Sequence, residues 1–247
     1  MSAPLQFDVN KPGRKIGYIL KPNGKEDTIS LVPGGKYDEV KVKDELFPCF
    51  ETERDQNNRL MITGKTGCGK SFFANRVAKE MLRRNPKRRL YVVSPFGADP
   101  SLDKGLENVI ERVDPYNYKI ELMKDGIVIV DDIDSLQNEK LTDAIYLMVK
   151  ALFESGRHYG IDVIYINHTL KNYKKTKYVI QEASHIVVFP NSGNDAQIKN
   201  FAKDYIGCDR KAIKDILSTS DSRWLVLYNQ YPTYVFGQHR IFFPGKK

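Results

Sequence analysis

Cysteine is scarce in this chain. There are three in 247 residues, Cys49, Cys68 and Cys208, widely spaced and odd in number. That argues against a disulfide frame or a zinc site and fits a reducing compartment. Long apolar runs are also missing, and none approaches the roughly 18 residues that a membrane-spanning helix needs. The opening residues, Met1 to Asp8, have neither a basic start nor an apolar centre, so no secretory leader is expected. The chain carries no internal repeat and no low-complexity tract.

What is present is ordinary in bulk: 41% hydrophobic and 28% charged residues, with length enough for one α/β domain of substantial core or two small ones. The net charge is +8, a basic excess that permits binding to nucleic acid or another polyanion. Two clusters concentrate it. One is Arg83, Arg84, Lys87, Arg88 and Arg89; the other is Lys171, Lys174, Lys175 and Lys177. The second lies in Lys171-Asn172-Tyr173-Lys174-Lys175-Thr176-Lys177-Tyr178, where lysines beside tyrosines suit contact with a phosphate backbone without reading sequence, or else a solvated charged loop.

The most informative stretch is Gly64-Lys65-Thr66-Gly67-Cys68-Gly69-Lys70-Ser71, which meets every fixed position of the phosphate-binding pattern G-x-x-x-x-G-K-[ST]. A strand-like run, Arg59 to Thr63, precedes it, and a helix-like one opens at Ser71. In that setting glycines let successive N–H groups face one point, and the helix N-terminus adds positive potential. Lys70 is placed to reach the β- and γ-phosphates, and the Ser71 hydroxyl to ligate Mg²⁺. Cys68 reads as a small tolerated side chain within the loop rather than a nucleophile. Downstream, Ile127-Val128-Ile129-Val130 runs into Asp131-Asp132 and reads as a buried strand ending in paired acids. Asp131 is expected to hold Mg²⁺ and Asp132 to polarise the attacking water. An acid in that place implies hydrolysis, and the guanine-reading Asn-Lys-x-Asp tetrapeptide is absent, so ATP is the expected nucleotide.

Two further residues are candidates. Asn167 ends the strand-like run Ile161 to Ile166, where it can sense a γ-phosphate or orient water, or merely cap a turn. His168 reads only as its neighbour. Arg157 lies between a helix and that strand, suited to stabilise charge from across a subunit interface, or to sit as a helix-end cation.

The remaining runs divide the chain. Residues 1–55 read as a small β-rich region, with strands at Lys15–Leu20 and Thr28–Val32, and residues 56–247 as the nucleotide domain including terminal strands. Helices are expected from the phosphate loop to Arg84, over Leu141–Phe153, and near 194–206 and 209–217. Further strands are expected at Leu90–Ser94, Ser184–Phe189, Arg223–Tyr228, Thr233–Phe236 and Arg240–Phe243. Strands alternating with helices predict a mostly parallel sheet covered on both faces.

Together these motifs resemble the FtsK–HerA superfamily of ATP-driven DNA translocases, and within it the genome-packaging ATPases of poxvirus-like large DNA viruses and their virophages. The residues that carry the resemblance are Gly64 to Ser71, Val92-Val93-Ser94-Pro95, Ile129 to Asp132, Gly156-Arg157-His158, Ile161 to His168, and Ala183 to Pro190. It covers roughly residues 58–190. The resemblance implies an additional-strand (RecA-like) P-loop ATPase fold, with the Asn167 strand between the phosphate-loop strand and the Asp131 strand. It implies a homo-oligomeric ring, a pentamer or hexamer, with ATP at subunit interfaces and double-stranded DNA in the channel. Capsid proteins become expected partners, and the cytoplasm of an infected cell or the virion the expected location. Many members carry Glu where this chain has Asp132, one methylene shorter. The competing expectation is a non-motor P-loop ATPase, a nucleotide-switched DNA-binding assembly or loader protein.

Overall fold

The computed structural model describes residues 4–50, 57–95, 97–133, 136–170, 176–192, 195–218 and 221–244. The chain divides into two compact units, one of residues 1–51 with 187–247 and one of residues 52–186.

The first unit opens with β1 (Leu5–Val9), β2 (Arg14–Leu20), β3 (Glu26–Pro33), β4 (Glu39–Lys41) and β5 (Glu45–Pro48). Four of them form an antiparallel sheet in the order β1-β3-β2-β5. The β2–β3 hairpin closes through Lys21 and Lys25, with Gly24 at φ +76°, a backbone region where a side chain is strained. The strands expected at Lys15–Leu20 and Thr28–Val32 are both present. β1 adds to the expected strands, its Leu5, Phe7 and Val9 alternating with polar residues at the period of a strand.

The second unit holds β6 (Arg59–Thr63), α1 (Lys70–Arg84), β7 (Leu90–Val93), α2 (Pro100–Asp103), β8 (Ile110–Arg112), β9 (Ile127–Val130), α3 (Glu139–Ser155), β10 (Asp162–Asn167) and α4 (Lys177–Glu182). Its strands run parallel in the order β6-β10-β9-β7-β8. Ile127 to Val130 and Val163 to Ile166 are all fully buried, with no polar alternation, as expected for strands covered on both faces. α1 turns Phe73, Ala74, Val77, Ala78 and Met81 inward, the stripe that its helical spacing predicts. Because β10 lies between β6 and β9, the ends of three adjacent strands bring Thr63, Asn167 and Asp131 to one edge.

β11 (His185–Val188) leads back into the first unit, followed by α5 (Asp195–Asp204), α6 (Arg210–Leu217), β12 (Leu225–Tyr228), β13 (Tyr234–Gly237) and β14 (Arg240–Phe242). The last three strands are antiparallel, and β4 joins β14. Aromatic stacking packs this unit: Phe7 lies on Phe243 with ring centres 4.2 Å apart, and Tyr228 on Tyr234 at 4.6 Å.

The amino ends of the parallel strands are tied by a buried ion pair. The Arg88 guanidinium donates to the Asp162 carboxylate and to the carbonyls of Asp125, Gly126 and Gly160, while the Asn58 N–H donates to Asp162 at 2.6 Å. Asp162 is wholly buried, so desolvation pushes its carboxyl pKa up, and Arg88 draws it back. All four arginines of the Arg83–Arg89 cluster have carboxylate partners within the chain: Arg83 and Arg84 pair with Glu80, Arg88 with Asp162, and Arg89 with Glu111. Arg88→Met should therefore destabilise the fold by about 3–5 kcal/mol, the cost of leaving a buried charge unpaired. Adding Asp162→Asn should recover part of the loss. Denaturant unfolding of both variants reads this, and a wild-type midpoint for Arg88→Met would refute it.

Candidate nucleotide site

The loop after β6 curls through two left-handed glycines, Gly67 at φ +78° and Gly69 at φ +105°. Gly67 has open space where a side chain would go, so conformation rather than crowding requires glycine there. Gly69 caps α1. No side chain caps that end and no acid lies in the first turn, so nothing within the helix competes with an anion for its first N–H groups.

Lys70 is the first residue of α1 and is buried. Its ammonium donates to the carbonyls of Gly64 at 3.0 Å and Lys65 at 3.2 Å, and to His168 Nδ1 at 3.4 Å. β9 delivers the acids opposite. Asp131 is buried, and its carboxyl pKa is pushed up to about 7, first by burial, then by the charges of Asp132 and Asp99, with Lys70 pulling the other way. Asp132 stands at φ +58° and accepts from His168 Nε2 at 2.6 Å. Asn167 closes β10 in register with Thr63 of β6. Among the described residues, neither atom of the Asn167 amide has a hydrogen-bond partner, nor does the Thr63 hydroxyl, though all three are buried. Unsatisfied buried polar atoms are costly, so their gathering at one strand edge marks a place built for a polar guest.

Ser71, in the first turn of α1, and Asp131 are hard oxygen donors of the kind Mg²⁺ takes. The described residues contain no cluster of three or more acids, histidines or cysteines able to hold a metal alone. Such a pair fits an ion that takes its remaining ligands from phosphate and water. Burial pushes the Cys68 thiol up, which keeps it protonated and suits a bystander in the loop.

Lys70, Asp131, Asp132 and Asn167 are brought to this edge, and Arg157 is not. Arg157 is exposed on the 3₁₀ turn Gly156–Tyr159 before β10, where its charge acts on Arg59 at the start of β6. The five residues of β6 put roughly 15 Å between that end and the phosphate loop. Of the basic loop Lys171–Tyr178, residues 171–175 lie outside the described residues, including Lys174 and Lys175. Tyr178 donates to the Tyr146 carbonyl at 3.3 Å and packs against α3. The residue that sequence reading undervalued is His168. Its one visible signal was a polar side chain directly after a buried strand.

No family model matches the chain. It is 29% identical over 230 residues to the uncharacterized protein V3 of Sputnik virophage, covering 90% of this chain and 87% of that one. Among solved structures it is similar to the pCW3 conjugation coupling protein TcpA, in a monomer form with ATPγS. That match has a TM-score of 0.51 and 12% identity, and covers 93% of this chain and 77% of that one. It is also similar to the genome-packaging NTPase B204 of Sulfolobus turreted icosahedral virus 2, with a TM-score of 0.49, 15% identity, and coverage of 77% and 98%. The fold is that of the P-loop NTPases, with the strand that ends in Asn167 set between the phosphate-loop strand and the strand that ends in Asp131 and Asp132.

Proposed function

We propose that this chain hydrolyses ATP and couples the hydrolysis to movement of double-stranded DNA, as a motor that packages a viral genome into a capsid. The observation that carries the reading is the convergence of Lys70, Asp131, Asp132 and Asn167 on one strand edge beside an uncapped helix N-terminus. The fold likeness to a coupling protein solved with ATPγS and the sequence likeness to a virophage protein support it.

In this reading the loop N–H groups from Gly64 to Ser71 hold the β- and γ-phosphates, and Lys70 meets the charge that builds on them. Ser71 and Asp131 would hold Mg²⁺, which when bound neutralises phosphate charge. The Asp132 carboxylate accepts a proton of the attacking water and fixes its direction. The Asn167 amide, whose two polar atoms have no partner among the described residues, bridges that water and the terminal phosphate. Arg157 is too far to serve its own site, so it acts on a neighbour's in a homo-oligomeric ring. A pentamer or hexamer in the infected cytoplasm or at the virion is the matching assembly. ATPase rate measured with and without duplex DNA, across protein concentrations, tests the reading. Stimulation by DNA and turnover that rises on assembly are expected; turnover indifferent to both would favour a non-motor ATPase.

Lys70→Ala should lower turnover by about 10²-fold or more with the fold intact. Near wild-type phosphate release would sink the phosphate-loop assignment.

Arg157→Ala should lose turnover at unchanged nucleotide affinity. Mixing it with Lys70→Ala protein should restore some activity at mixed interfaces. Co-assembled mixtures that stay inactive would return Arg157 to a helix-end cation.

Asp131 links function to stability. Its folded pKa of about 7 lies above the ordinary 3.8, so the folded state binds the extra proton between those values and stability falls as pH rises through them. Asp131→Asn removes that loss, which is at most about 4 kcal/mol. The nucleotide-free variant should thus gain thermal stability over wild type at pH 8 and little at pH 4, while losing Mg²⁺-dependent nucleotide binding. A pH-independent difference in Tm would contradict the burial argument.

A further inference from the structure

His168 follows β10 directly and lies between the two groups that hydrolysis needs most. An ammonium only donates, so His168 Nδ1 accepts from Lys70; the ring proton is then on Nε2 and is donated to the Asp132 carboxylate. The chain of hydrogen bonds runs one way, from cation through imidazole to carboxylate. Lys70 has three protons and meets three acceptors, the Gly64 carbonyl at 3.0 Å, the Lys65 carbonyl at 3.2 Å and His168 at 3.4 Å. A phosphate oxygen that engages Lys70 must displace one of them. The bond to His168 is the longest, so it is the one given up most easily. The bond from His168 to Asp132, at 2.6 Å to an anion, is much the stronger.

We propose that His168 is a positioning residue that couples capture of the γ-phosphate by Lys70 to the aim of the Asp132 carboxylate. Before the phosphate arrives, Lys70 and Asp132 are pinned to each other through the imidazole. When Lys70 turns to the phosphate, the imidazole is released at Nδ1 but keeps Asp132 at Nε2, and the pair can swing to face the water. Asp132 stands on a left-handed backbone just past the end of β9, outside the strand ladder that would otherwise fix its direction. The aim of Asp132 is thereby tied to the arrival of phosphate at Lys70. The inference rests on the ATPase reading above.

Steady-state kinetics on purified full-length protein, with ATP and Mg²⁺, test it. His168→Ala should lower kcat by about 10- to 100-fold, with KM within about twofold of wild type. His168→Gln offers one acceptor and one donor on a single amide and should restore kcat to within about fivefold of wild type. Combining His168→Ala with Asp132→Asn should be no worse than Asp132→Asn alone, since the histidine acts through the acid. Wild-type kcat in His168→Ala would overturn the proposal, as would kcat losses that multiply in the double variant. If His168→Ala does not fold, His168→Gln decides alone: a folded protein with kcat reduced by 10-fold or more overturns the proposal. An unaltered protein that releases no phosphate fails the ATPase reading itself, and the proposal with it.

Discussion

The ammonium of Lys70 is the interaction on which the site depends. It is buried at the head of α1, where it meets two backbone carbonyls and one imidazole, and among the described residues no carboxylate pairs with it directly. A buried cation without a salt-bridge partner is poorly compensated, and a phosphate is the partner that the surrounding N–H groups also favour. The same imbalance holds across the edge. Asp131 is buried beside two other acids, and Asn167 and Thr63 hold polar atoms with no partner among the described residues. Each of these costs stability alone, and in the proposed reading a magnesium-bound triphosphate would offset each.

The two ends of the parallel sheet are built on opposite principles. At the amino ends, Arg88 and Asp162 satisfy each other and several backbone groups, so the strands are fixed in register. At the carboxyl ends, polar groups are gathered and left under-satisfied. A rigid floor allows a strained rim, because the cost of the rim is covered by the apolar strands between them, Ile127 to Val130 and Val163 to Ile166. Ligand sites at the carboxyl ends of parallel strands follow from this division.

Much of this was legible in the residues. The phosphate loop is a local motif whose spacing alone dictates its shape, and the strand ending in Asp131-Asp132 needs only a buried run followed by acids. The placement of β10 between β6 and β9 came from the family resemblance, and the sheet order bears it out. What the sequence hid was pairing at long range. Arg88 read as one member of a basic cluster because its partner, Asp162, lies 74 positions away. His168 read as a bystander because Lys70 and Asp132 are distant in sequence and meet it only when the sheet assembles. β1 carried an alternation that five residues expressed too briefly to stand out, and residues 187–247 share a unit with residues 1–51, a grouping that no local pattern encodes.

The loop is proposed to grip the terminal phosphates of ATP through Lys70. Equilibrium binding of ATPγS and of AMP to the purified chain, with Mg²⁺ present, tests it most directly. One ATPγS per chain is expected, bound far more tightly than AMP, because AMP offers nothing at the β- and γ-positions. Equal affinity for the two, or no binding of ATPγS, would contradict it.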